Sequence, residues 1–139
     1  GTVPPELAEL VKEDPRYVTH GTLSSAEITR LAGRCWVGLS SFALHRKGLR
    51  EACTLKVREY LAVGLPVYSG HRDVFPESFE FYRTGPADAR QILNFASSCR
   101  GTSRESVAEA AGDFINKEDL LLQLYSELRE QIFERNDRS

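Results

Sequence analysis

The run from Glu51 to Gly70, Glu-Ala-Cys-Thr-Leu-Lys-Val-Arg-Glu-Tyr-Leu-Ala-Val-Gly-Leu-Pro-Val-Tyr-Ser-Gly, limits the fold more than any other part of this chain. Thr54 is placed to act as an N-cap, Leu55 to Val63 fill about two and a half turns of helix, Gly64 supplies a left-handed stop, and Pro66 forbids continuation. Val67 and Tyr68 are strand formers closed by Ser69-Gly70. The unit therefore reads loop, helix, tight turn, strand, which belongs to layered α/β proteins.

Within that helix Val57, Tyr60, Leu61 and Gly64 share the side that packs on a sheet, leaving Lys56 and Glu59 together on another face. Thr54, Leu55 and Lys56 open the helix, where free backbone N–H groups and the macrodipole attract an anion such as a phosphate. Glu59, one turn further in, can accept two hydrogen bonds from a vicinal diol, and Glu51 lies ahead of the cap. The competing reading is plainer: Lys56, Arg58 and Glu59 form a solvated helix face and Thr54 is only a cap.

A length of 139 residues, 41% hydrophobic and 27% charged, suits a globular chain that buries a core without covalent staples. A net charge of −2 gives no general affinity for nucleic acid, yet Arg46, Lys47, Arg50, Lys56 and Arg58 gather against only Glu51 and Glu59, a local excess that suits a phosphate. Cys35, Cys53 and Cys99 are odd in number, widely spaced and without histidines at metal-ligand spacing, so no metal site is expected and a reducing, cytoplasmic setting is. No apolar run approaches the roughly 20 residues of a membrane span.

Taken in order, Glu6 to Lys12 reads as a short helix broken by Asp14-Pro15, and Tyr17-Val18-Thr19-His20 as a strand followed by a sharp turn at Gly21. Ser24 or Ser25 caps a helix over Ala26 to Arg34, Glu27 completing a capping box with Ser24, and the helix packs through Ile28, Leu31 and Ala32. Cys35 to Leu39 is a continuous apolar run suited to a central parallel strand. After it comes a basic loop holding His45, read as exposed. His71 and Asp73 read as surface polar groups, and Phe79 to Arg83 as a further strand. Ala87 to Ser97, a helix capped by Ser103, and a last helix capped by Asn116 follow, the last with a core-packing stripe of Leu121, Leu124, Tyr125, Leu128 and Ile132, then a polar tail over Arg135 to Ser139. The expected result is a Rossmann-like α/β fold, a parallel sheet flanked by helices in the order βαβαβ.

Glu51 and Glu59 are separated by seven residues, and Glu59 is followed by Tyr-Leu-Ala-Val-Gly-Leu-Pro-Val. This resembles the Glu-x(7)-Glu signature in the C-terminal nucleotide-binding domain of retaining GT-B glycosyltransferases, especially family four. The resemblance extends to Pro15-Arg-Tyr-Val-Thr-His-Gly, Ser24 to Leu31, Cys35 to Ser41 and the final helix, in the same order. It implies that Glu59 binds ribose hydroxyls, Glu51 the transferred sugar or its developing charge, the amides of Thr54 and Leu55 the diphosphate with Lys56 adding charge, and Gly21, Thr22 and Leu23 the base. The substrate it implies is a nucleotide-sugar, with no separate cofactor. Relative to that family the chain lacks the first two strands, the loop whose arginine and lysine grip the diphosphate, and the acceptor-binding domain; it reads as the donor half of a longer enzyme, cytoplasmic or peripheral to a membrane, its sheet open to completion by another copy. The family's Gly-Phe-Gly after the first glutamate is here Ala52-Cys53-Thr54, so base, sugar and acceptor do not carry over. The alternative is a non-catalytic α/β module for nucleotide or protein binding.

Overall fold

Proline cannot donate to a preceding carbonyl but fits the first turn of a helix, and α1, Pro5–Glu13, begins at Pro5. It ends where the Asp14 carboxylate turns back to take the backbone N–H and guanidinium of Arg16, while the Asp14 carbonyl accepts the N–H of Tyr17. A computed structural model describes residues 4–136, the side chains of Glu6 and of 130–136 excepted. The chain divides into two compact units, Gly1–Arg34 and Cys35–Ser139.

In the first unit the strand expected at Tyr17 to His20 does not form. Propensity alone cannot make a strand without a ladder partner, and Tyr17 and Val18 are exposed with the turn at Asp14 holding their start. The capping box does form: α2, Ser25–Ala32, has Ser24 Oγ accepting from Glu27 N–H, while Glu27 Oε2 accepts from Ser24 N–H at 2.8 Å. Ala32 is buried, Leu31 half-buried and Ile28 exposed, so the packing face is narrower than its spacing implied. The Ser24 hydroxyl, at 2.7 Å, and the Ser24 backbone N–H both donate to Glu27 Oε2 and hold that carboxyl below the ordinary glutamate range. The cap's contribution is therefore present above the unfolded value and lost as pH falls through the lowered folded one. Amide exchange at the start of α2 should accelerate across that acidic window, and Ser24→Ala, which removes the hydroxyl donor and leaves the backbone one, should shrink the transition.

The second unit carries three parallel strands in the order β1-β2-β3: β1 Gly38–Leu39, β2 Val67–Ser69 and β3 Tyr82–Thr84. The apolar run from Cys35 is thus an edge and not a central strand, and only its last two residues join the ladder; ahead of them the Trp36 ring centre lies 4.3 Å from the guanidinium carbon of Arg100. The third strand starts later than expected, at Tyr82, because Phe79 and Phe81 enter the core on a turn. With no strand at residues 17–20, the alternation βαβαβ is not formed.

Gly38, Val67 and Tyr82 are register partners and share a sheet face. Over that face lies α3, Leu55–Ala62, close enough that a Cβ on Gly38 would sit 2.4 Å from the Tyr60 ring. Val57 and Leu61 pack there with Val67, Phe75, Phe79, Phe81 and Tyr82, and with Val107 and Ala111 of α5, Arg104–Ile115. Tyr68 points to the other face, its ring 5.9 Å from Phe95 of α4, Ala89–Ser98. Gly64 stops α3 at φ +73°, as its sequence position required.

The last helix, α6, Lys117–Asn136, has its first turn capped by the Asn116 side chain, which accepts from Glu118 N–H. Its stripe is not core: Leu121, Leu124, Tyr125 and Leu128 are all exposed. Period identifies an amphipathic helix but names no partner for its apolar side. Ile132 and the tail at 135–139 lie outside the described side chains, 137–139 outside the described residues altogether.

Candidate functional site

After β1 the chain passes through a 3-10 turn, Leu44–Lys47, ended by Gly48 at φ +72°. It then runs alongside the segment that leaves β2: Arg72 N–H donates to the Arg50 carbonyl and Ala52 N–H to the Arg72 carbonyl, both at 3.0 Å. Glu51 and Arg72 are the bridged pair. Three residues after Glu51, Thr54 takes the N-cap place of α3, so the helix starts beside the C-terminal ends of the strands, where open parallel sheets gather ligands.

Thr54 takes the N-cap place by backbone, φ −95° and ψ 136°, but its hydroxyl caps nothing. The first-turn amides are thus left without a side-chain acceptor, and a helix start in this state favours an anion. Leu55 is 79% exposed, Lys56, Glu51 and Glu59 are exposed, and Thr54 is half-buried. The expected diphosphate contacts and both carboxylates therefore border open surface. Gly21, Thr22 and Leu23 lie in the first unit, in the loop before α2, with Gly21 at φ +65°.

Arg58 leaves the solvated face assigned to it. Its guanidinium makes a fork on the Asp73 carboxylate, Nη1 to Oδ2 at 2.5 Å and Nη2 to Oδ1 at 2.6 Å, and lies 5.5 Å from the Phe75 ring centre. The Asp73 hydrogen bond raises the Arg58 pKa further. This pair ties α3 to the loop after β2 and withdraws one cation from the set near the helix start. Arg46, Lys47, Arg50 and Lys56 remain exposed there, and Arg72, which sequence reasoning left out, joins them through its bridge to Glu51. Arg72 also lines a cleft with Pro76, Glu77 and Tyr82.

His71 and Asp73 are not the surface groups that the turn composition suggested. His71 is 1% exposed and the Asp73 side chain 0%. His71 Nδ1 lies 2.8 Å from Ser69 Oγ and 3.2 Å from the Ser41 carbonyl, and its backbone carbonyl accepts from the hydroxyls of Tyr82 at 2.5 Å and Thr84 at 3.2 Å. Burial raises the Tyr82 pKa, so that hydroxyl stays a donor. Ser40 and Ser69, also buried, continue the inward registers of β1 and β2; a serine at the inward end of an apolar run was the available sequence signal. His45 is exposed, as expected.

Cys35 and Cys99 are half-buried and Cys53 exposed, all as free thiols, and burial raises the Cys99 pKa. Among the described residues no group of three or more His, Cys, Asp and Glu side chains gathers at metal-binding distance, and no helix is long and apolar enough to cross a membrane. The arrangement offers amides, hydroxyls and cations for an anion, with two open carboxylates for hydroxyl groups. Comparison with protein-family models, with curated proteins and with solved structures found no match for this chain.

Proposed function

We propose that this chain is the donor-binding portion of a retaining GT-B glycosyltransferase, moving a sugar from a nucleotide-sugar to an acceptor held by a separate domain. The observation that carries the reading is the uncapped start of α3, exposed at the C-terminal side of a parallel sheet between Glu51 and Glu59. In this reading the amides of Thr54 and Leu55 hold the diphosphate, Lys56 adds charge, Glu59 accepts from the ribose hydroxyls, and Glu51 faces the transferred sugar.

The chemistry needs no covalent nucleophile. As the bond from the anomeric carbon to the diphosphate oxygen lengthens, charge builds on the leaving group and on an oxocarbenium-like sugar. Preorganised amides and Lys56 oppose the first, and the Glu51 carboxylate the second. Two carboxylates in one loop-helix unit lack the placement across a cleft that a hydrolytic pair requires.

Calorimetric titration with nucleoside diphosphates tests the assignment. Glu59→Ala should weaken binding by about 1–3 kcal/mol through loss of hydrogen bonds to a charged group, with an unchanged melting temperature because Glu59 is exposed. Unchanged affinity would instead favour a non-catalytic module. The chain alone should bind donor weakly and transfer nothing; turnover by these residues would remove the need for a second domain.

A further inference from the structure

β3 lies at one side of the sheet, and no strand among the described residues pairs with its outer edge. The ladder fixes which main-chain groups point there. Val67 N–H donates to the Phe81 carbonyl at 2.8 Å and Gly85 N–H to the Ser69 carbonyl at 2.9 Å, so the main chain at 81, 83 and 85 faces β2. By alternation the main chain at Tyr82 and Thr84 faces outward. Tyr82 N–H bends back to the Phe79 carbonyl at 3.4 Å. That leaves the Tyr82 carbonyl and both main-chain groups of Thr84 on the edge, with no backbone partner among the described residues. Such an edge is a template for a further strand.

A cleft flanks this edge on each face of the sheet. The hydroxyls of Tyr82 and Thr84 both donate to the His71 carbonyl, and Tyr82 belongs to the core under α3, so these two side chains share the α3 face. On that face a cleft of about 640 Å³ is lined by Arg72, Phe75, Pro76, Glu77, Tyr82 and Thr84. Arg83 is the register partner of Tyr68 and turns with it to the opposite face. There a cleft of about 350 Å³ lies between the strand and α4, lined by Tyr68, Arg83, Gln91, Asn94, Phe95 and Ser98. Both clefts reach Arg83 and Thr84, so they meet at one stretch of edge. Successive side chains of a strand point to opposite faces, and a chain laid along β3 would send them alternately into the two clefts.

The clefts differ in charge. The one on the α3 face carries exposed Arg72 and Glu77 and so selects neither sign. The one beside α4 has the exposed guanidinium of Arg83, the amides of Gln91 and Asn94 and the Ser98 hydroxyl, with no carboxylate in its lining. The Asp88 carboxylate nearby is held at the α4 cap by Gln91 N–H at 2.8 Å. A carboxylate entering this cleft meets a cation and neutral donors. We infer that β3 takes an extended segment of another protein as an added strand, bonded to the main chain of Tyr82 and Thr84, with acidic side chains at every second position directed into the cleft beside α4. The inference is independent of the donor reading, since Glu51, Glu59 and the start of α3 take no part in it.

The probe is the end-blocked peptide Val-Glu-Val-Glu-Val-Thr, whose glutamates share one face, titrated into the ¹⁵N-labelled full chain. The Thr84 amide should shift on binding and become protected from exchange. N-methylating the peptide at alternate residues, which removes its main-chain donors, should weaken binding roughly tenfold, and replacing its glutamates by lysines should do the same. Arg83→Glu, at an exposed position, should reverse the preference, so that the lysine peptide binds better than the glutamate one. Binding that ignores N-methylation would come from side-chain attraction alone and overturn strand addition. A preference for glutamate that survives Arg83→Glu would overturn the assignment of the acidic residues to the cleft beside α4. No binding of any of the peptides, or a Thr84 amide that shifts when the free chain is diluted, would mean a closed edge or an edge that pairs with a second copy, and either result overturns the inference.

Discussion

Arg58→Ala is expected to lower the stability of the second unit by about 3–5 kcal/mol, because it strands a buried carboxylate. The Asp73 side chain is 0% exposed and Arg58 16%, and the fork between them is the carboxylate's ion pair. Water cannot repair the loss. Asp73→Ala should cost a similar amount, whereas the double variant Arg58→Met with Asp73→Leu, which removes both charges and keeps apolar volume beside Phe75, should recover much of it. Urea denaturation of the four proteins checks this: a double variant no better than either single one would mean that the packing of the arginine stem, and not its charge, holds the loop. Glu59→Ala, at an exposed position, should leave the midpoint unmoved, so the two experiments separate framework from ligand site.

Gly64→Ala is the second large effect. The residue stops α3 with φ +73°, and a Cβ there would lie 2.3 Å from the Arg104 carbonyl oxygen. The left-handed backbone costs about 1–2 kcal/mol for a residue with a Cβ, and crowding against backbone that cannot step aside adds about 1–3 kcal/mol. Gly48 is the control. It has φ +72° with nothing within 4 Å of an added Cβ, so Gly48→Ala should show only the first of these costs. Equal losses at the two positions would mean that the α5 backbone yields, and that the contact between α3 and the start of α5 is looser than its spacing indicates.

Most helix ends were legible because their causes lie within a few residues. Ser24 with Glu27, Ser103 with Ser106, and Asn116 with Glu118 each satisfy an orphan amide from nearby side chains, and Gly64 stops a helix by its own backbone freedom. Thr54 shows the limit of such reading. It holds the expected N-cap place, yet its hydroxyl bonds to none of the first-turn amides, and that vacancy of caps is what gives the helix start its interest. The open carboxylates of Glu51 and Glu59 were legible as a spacing; the bridge from Glu51 to Arg72 was not, since it joins residues brought together by the sheet.

By itself the sequence determined where α2, α3, α5 and α6 begin, that an apolar segment and Val67 with Tyr68 would be strands, and that one helix start would be rich in polar groups, because dihedral preference and capping act over a turn or less. Only the tertiary structure decided which of those segments found partners. Tyr17 to His20 had strand composition and no ladder, the α6 stripe had period and no cover, and His71 and Asp73 had turn composition and full burial. Each outcome depends on residues distant in sequence, as Asp73 does on Arg58 and His71 on Ser41, and burial is a property of what packs on a residue, which its neighbours along the chain do not specify.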